Sequence, residues 1–223
     1  MACGGSLYMP SQVARFDPDG STPSEINDED VRKAFEARPQ LGEHVNVAYF
    51  SFDAAKNADV EKALRAIPAV GSVYSIPALA VTGAHRFDDG WAAPAQPLSM
   101  KKLRLLAARA HCDVVVVVDY GYRTKVSANG LAALDVLLVP ALFLPFREIE
   151  VQSYVEASII DTRNGYLYGD VTSSRESKKS YQTIYANEDD LVASQWGELE
   201  VELQDSIAKV MEAERTKAIA EAK

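Results

Sequence analysis

Apolar and polar residues follow three rhythms along this 223-residue chain, and each rhythm predicts a different element. The first is an unbroken run. In Cys112-Asp113-Val114-Val115-Val116-Val117-Val118-Asp119-Tyr120, five consecutive valines are stiff at χ1 and apolar on both sides of a pleat. Such a run predicts a strand in the middle of a sheet that is covered on both faces. The second rhythm has the helical period. Leu103, Leu106, Ala107 and Ala110 lie on one face of a helix expected over 100–111 and capped by Ser99. Val60, Leu64 and Ile67 do the same between Asn57 and Pro68. Val192, Trp196, Leu199, Leu203, Ile207 and Val210 form the stripe of a long closing helix, which opens on Glu188-Asp189-Asp190, where the helix dipole favours acids. A shorter helix over 28–37 follows the acidic cap Asn27-Asp28-Glu29-Asp30, with Val31, Ala34 and Phe35 expected to face inward.

The third rhythm is alternation. Val45, Val47 and Tyr49 mark one face of a strand over 44–52. Val73, Ile76, Leu79 and Val81 predict a second strand over 72–82, with Pro77 marking an edge position or a bulge. Residues 122–127 carry the valine strand on toward solvent. Glu148, Glu150 and Gln152 alternate with Ile149 and Val151 in a strand reaching Ile160, although Tyr154-Val155 falls out of step. Asp161-Thr162-Arg163-Asn164-Gly165 predicts a tight hairpin turn, because Asn-Gly accepts positive φ at little cost and Asp161 can accept from turn amides. The return strand is expected over 166–173 with Leu167 and Val171 inward, followed by a polar loop over 174–187. Residues 131–146 fit none of these rhythms. They are apolar but interrupted by Asp135, Pro140 and Pro145, and proline breaks any continuous membrane-spanning helix.

Together these elements predict an α/β (α+β) fold. A mixed central sheet with long antiparallel hairpin strands is packed by helices on both faces and closed by a long C-terminal helix. The expected organisation is a flexible or lipidated tether over 1–27, a single α/β domain over 28–212 with an apolar insertion at 129–147, and a frayed helical tail over 213–223.

The opening Met1-Ala2-Cys3-Gly4-Gly5, followed by a stretch rich in Ser, Pro, Asp and Gly, resembles a bacterial lipoprotein from its lipidated cysteine onward, with an initiator Met in place of the signal peptide. In such proteins the thiol carries a diacylglycerol and the freed amine a third acyl chain. At ~0.8 kcal/mol per buried CH₂, two or three chains anchor a soluble domain firmly. Gly4 rather than Asp after the cysteine resembles lipoproteins sorted to the outer membrane. Three further stretches carry a resemblance of fold: a helix running straight into a hydrophobic strand at 108–118, a strand closing on Asp161-Thr162-Arg163-Asn164-Gly165 at 155–165, and the amphipathic helix at 191–210. They resemble the periplasmic lipoprotein domains grouped with the curli secretion lipoprotein, the N-terminal domain of TolB and the LpoB activator of penicillin-binding proteins. Within that group, rhombotarget lipoproteins are the suggested relatives. The resemblance covers about 43–212 and implies a periplasmic, outer-membrane-anchored protein without a catalytic role.

Charge and composition narrow the partners. The net charge of −9 argues against nucleic acid, whose backbone must be neutralised by Lys and Arg. Lys101, Lys102, Arg104 and Arg109 are the nearest approach to a basic cluster, and are expected to form a solvated helix face. Cys112 is expected as a small buried hydrophobe. His44, His85 and His111 are scattered and match no metal-ligand spacing, and no Walker loop, G-x-S-x-G or G-x-G-x-x-G occurs. No cofactor or metal is expected. Asp113 and Asp119 flank the valines too far apart for paired acid–base work and are expected as strand-end caps. The expected activity is therefore contact with an envelope protein or a second copy. Its surface would be the apolar segment, through Leu134, Val136, Leu138, Val139, Leu142, Phe143, Leu144 and Phe146. The alternative is a hydrolase or small-ligand-binding protein with its site in the loop 83–97, on His85, Asp88, Asp89 and Trp91.

Overall fold

The computed structural model describes residues 16–17, 28–82, 98–128, 147–181 and 189–221. The elements in order are β1 (Phe16–Asp17), α1 (Asp28–Glu36), β2 (Val45–Ser51), α2 (Asn57–Arg65), β3 (Val70–Ser75), α3 (Ala78–Thr82), β4 (Leu98–Ser99), α4 (Met100–Arg109), β5 (Val114–Ala128), β6 (Arg147–Asp161), β7 (Leu167–Tyr181) and α5 (Asp189–Glu221). Five strands form one mixed sheet in the order β3-β2-β5-β6-β7, and β1 pairs with β4 apart from it. Among the described residues, no helix is long and apolar enough to cross a membrane.

The chain divides into two compact units, one drawn from 13–119, 156–172 and 200–223, the other from 120–155 and 173–199. In the first unit β2 runs parallel to both β3 and β5, with Val47 beside Val114 and Tyr49 beside Val116. Val114, Val115, Val116 and Val118 are completely buried, as a run apolar on both faces requires. The odd- and even-numbered valines serve different layers. Val115 and Val117 join Ala48, Phe50 and Ile160 under α3 and α4, against Val81, Met100, Leu103 and Ala107. The opposite face carries Tyr49, whose hydroxyl donates to the Asn57 carbonyl at the start of α2 (3.0 Å). Lys62 of α2 pairs with Glu200 of α5 at 3.0 Å, so both helices lie on that side.

The turn from α4 into β5 is short because His111 adopts φ +57°. The Cys112 N–H donates to the Ala107 carbonyl (2.9 Å) and the His111 N–H to the Ala108 carbonyl (3.0 Å), the paired bonds of a Schellman cap. A left-handed residue usually taken by glycine is here a histidine.

In the second unit, α5 covers the odd-numbered face of β6. The Tyr120 and Trp196 rings meet edge to face with centroids 4.2 Å apart. Ser153, completely buried, donates to the Gln195 side-chain oxygen (2.5 Å), and the Gln195 amide donates to the Val151 carbonyl (3.0 Å). On the other face the Tyr154 ring lies directly over Gly121, where any Cβ would collide with it.

Several expectations are corrected. Residues 72–82 are not one strand: Pro77 has no N–H for a ladder, so β3 stops at Ser75 and α3 begins at Ala78. The predicted inward stripe of α1 faces solvent, with Val31 59% and Phe35 83% exposed. Alternation in β6 never slips. Ser153 occupies an inward position with its hydroxyl satisfied, which is what made the pattern look broken. On β7, Val171 is buried as expected, but Leu167 is exposed and Tyr168 buried in its place. The expected polar loop from 174 is strand as far as Tyr181. There Lys178 reaches Glu148 at 3.0 Å and Arg175 reaches Glu198 at 3.1 Å. The closing helix continues to Glu221, with Glu214 buried and accepting from the Tyr166 hydroxyl (3.2 Å).

Candidate functional site

The lipidation candidate Cys3 and the surface residues Leu134, Val136, Leu138, Val139, Leu142, Phe143, Leu144 and Phe146 lie outside the described residues, as do His85, Asp88, Asp89 and Trp91. What is described is the framework between them. Two clusters in it concentrate polar chemistry.

The first is the β6–β7 turn, in the first unit. Asp161 ends β6, nearly inaccessible to solvent. One carboxylate oxygen accepts from the Arg163 N–H (2.7 Å) and the Asn164 N–H (3.0 Å), and the other accepts from the Tyr168 hydroxyl (2.5 Å). This is the Asx turn expected from the sequence, with Gly165 at φ +76° closing it. Asp113 is the second hub. It accepts from the Asn46 N–H (3.0 Å) and from the Arg163 guanidinium (2.6 Å), which fastens β2, β5 and the turn together. The Thr162 N–H donates to the Asp113 carbonyl (2.9 Å), so the start of β5 lies against the end of β6 and the two strands are antiparallel. Asp113 is thus the strand-end cap expected of it.

Arg104 departs from expectation. It was expected on a solvated face, yet it reaches from α4 to donate to the carbonyls of Thr162 (3.1 Å) and Arg163 (2.7 Å). Lys102 likewise donates to the Val81 carbonyl (2.6 Å). Sequence periodicity could not show this, because the carbonyls they meet are supplied by distant backbone. Two titrating groups beside the turn are held neutral. Burial, then the Asp161 hydrogen bond, raises the Tyr168 phenol above its ordinary range. Burial, then the Asp113 charge, pushes the Cys112 thiol up to about 11. Both shifts favour the protonated phenol and thiol near neutrality.

The second cluster is an open pocket of about 190 Å³, also within the first unit. It is lined by Phe52, Val117, Asp119, Glu156, Ala157, Ser158, Asp170, Val171 and Thr172. Ser158 donates to Asp170 at 2.6 Å. Asp119, expected as a strand-end cap, lines this pocket. Glu156 and Asp170 were not singled out from the sequence. Their signal was period-two spacing on neighbouring strands, which becomes a juxtaposition only when the register is known. Among the described residues, no group of three His, Cys, Asp or Glu is arranged to hold a metal ion.

No protein-family model matches the chain, and no curated protein sequence does. Solved structures do align with it. A minor lipoprotein from Acinetobacter baumannii is 14% identical over 79% of this chain and 96% of its own, with a TM-score of 0.38. The PelC dodecamer from Paraburkholderia phytofirmans is 14% identical over 75% of this chain and 93% of its own, with a TM-score of 0.34. Uncharacterized lipoprotein B from Nitrosomonas europaea is 10% identical over 84% of this chain and 96% of its own, with a TM-score of 0.37. Identities and scores this low do not place the chain in a family.

Proposed function

We propose that this chain is a non-enzymatic lipoprotein of the bacterial envelope. In this reading it is anchored to the outer membrane from the periplasmic side through acyl chains on Cys3, and it acts as an interaction or assembly module. The observation that supports this most directly is the sequence Ala2-Cys3-Gly4-Gly5 leading through a polar stretch into a folded α/β body. Two or more acyl chains on Cys3 would supply firm membrane affinity to such a body. The β1–β4 pairing adds a geometric consequence, because Phe16–Asp17 lies beside Leu98–Ser99. The thirteen residue steps from Cys3 to Phe16 span at most ~45 Å when fully extended, so an anchor at Cys3 would hold the body close to the bilayer.

The interaction surface in this reading is the apolar stretch 131–146, which connects the neighbouring strands β5 and β6. The eight side chains named for it, from Leu134 to Phe146, would meet an envelope protein or a second copy of the chain. The reading invokes no cofactor.

The anchor is tested by expressing the chain behind a lipoprotein signal sequence in a Gram-negative host and labelling with an alkyne palmitate. The wild type is expected to carry the label and to sediment with the outer membrane. Cys3→Ser is expected to lose the label and appear in the soluble periplasmic fraction. An unlabelled wild type, or a Cys3→Ser protein that stays membrane-bound, would overturn the assignment.

A further inference from the structure

Asn164-Gly165 is the dipeptide most prone to intramolecular deamidation, because a glycine offers the least hindered backbone nitrogen. In that reaction the Gly165 nitrogen attacks Asn164 Cγ. A C–N bond forms, the Cγ–Nδ2 bond breaks, and ammonia leaves with the proton from the Gly165 N–H. Water then opens the succinimide at either carbonyl to give aspartate or isoaspartate. The step needs a Gly165 N–H free to lose its proton, and an Asn164 side chain free to swing its Cγ onto that nitrogen.

The turn withholds both. The Gly165 N–H donates to the Asp161 carbonyl (3.1 Å). The Asn164 amide donates to the Arg38 carbonyl (2.7 Å), and its side-chain oxygen accepts from the Tyr166 N–H (2.8 Å). Nucleophile, leaving group and carbonyl oxygen are therefore each occupied by a different partner. Arg104 locks the arrangement from outside. It donates to the carbonyls of Thr162 and Arg163, and one of its guanidinium nitrogens sits 2.7 Å from where a Cβ on Gly165 would be. The turn thus holds a reactive pair unreactive only while it is closed.

We propose that Asn164 is a deamidation site gated by opening of the β6–β7 turn, and that its conversion unfastens the segment before β2. The amide that reaches Arg38 would become a carboxylate facing a carbonyl oxygen, so a bond turns into a repulsion. Nearby, the Gln40 N–H rests on the Tyr168 hydroxyl (3.2 Å), which itself rests on Asp161. The end of the chain leading from α1 is therefore held by the same turn that holds the asparagine.

The test follows residue 164 by peptide mapping and mass spectrometry in mildly alkaline buffer. The full chain is compared folded and in urea, alongside Arg104→Ala, with circular dichroism confirming the fold of each. Conversion is expected to be at least about 100-fold slower in the folded wild type than in urea, since the reaction must await local opening. Folded Arg104→Ala is expected to convert faster than folded wild type, and Asn164→Asp to melt at a lower temperature. Equal rates for the folded and urea-unfolded wild type would overturn the gating. A folded Arg104→Ala that converts no faster than wild type would overturn the role given to Arg104. If Arg104→Ala does not fold, the wild-type pair decides the gating alone, and a folded Asn164→Asp that melts unchanged would overturn the fastening.

Discussion

At the residue scale, His111 and Cys112 show two different costs of the short passage from α4 to β5. His111 is in the left-handed region, where a Cβ crowds the following carbonyl and costs roughly 1–2 kcal/mol. Glycine escapes that strain but loses more entropy on folding. His111→Gly is therefore expected to stabilise the protein by about 0.5–1 kcal/mol, raising Tm by roughly 2 °C, measured by thermal melting at pH 7. No change or a lower Tm would show that the imidazole packs in a way the backbone does not reveal. The neighbouring thiol bears on pH. Its folded value, about 11, lies above its ordinary 9.0. The unfolded chain therefore loses the proton first, and stability falls as pH rises through that window. Tyr168 and Tyr49, both raised chiefly by burial, push in the same direction. Cys112→Ala removes one contribution, and urea titrations between pH 8 and 11 are expected to give a shallower alkaline decline. An unchanged slope would assign the decline to the tyrosines.

At the element scale, β6 shows how a satisfied polar residue hides a strand's rhythm. Every odd position from Ile149 to Ile159 is buried, and Ser153 is one of them. Read from sequence, a serine there looks outward, because serine is more often exposed. It is buried because Gln195 of α5 faces it and completes the pair with the Val151 carbonyl. Ser153→Ala would leave the Gln195 oxygen buried without its donor, at a cost of about 1–3 kcal/mol. Ser153→Ala combined with Gln195→Leu is expected to recover much of that loss, as measured by urea unfolding. Additive losses in the double variant would mean the two side chains do not act as a pair. The same limit explains β7. Its Ser, Lys, Arg and Glu read as loop because their partners, Glu148 and Glu198, lie far along the chain. The exposed face of α1 makes the converse point: helical spacing fixes which residues share a side, not whether that side meets a core.

At the scale of the whole molecule, the proposed role rests on two parts of the chain that do different work, an anchor near residue 3 and an apolar connection at 131–146. The double variant Leu138→Ser with Phe143→Ser separates surface from core. If the segment is a contact surface, self-association or detergent binding is lost, by analytical ultracentrifugation, while circular dichroism and the melt are unchanged. A variant that unfolds would place those side chains in the core and remove the surface from the proposal.

The strong local signals were legible without coordinates. Five valines in a row, the heptad-like stripe of α5 and the Asp-x-x-Asn-Gly turn each carry their own physical necessity, whether branched side chains, a 3.6-residue period or a tolerated positive φ. The order of the larger elements and the turn chemistry of Asp161 followed from them, but β1, β4 and the break of 72–82 into β3 and α3 did not. What only the folded chain decided is who meets whom. Arg104 reaches two carbonyls fifty-eight and fifty-nine residues away, Asp113 ties β2 to the turn, and Asp119, Glu156 and Asp170 line one pocket. Such contacts depend on strand register and on which face each helix covers. Those are set by the free energy of the assembled sheet and its layers, and no local stretch of sequence contains them.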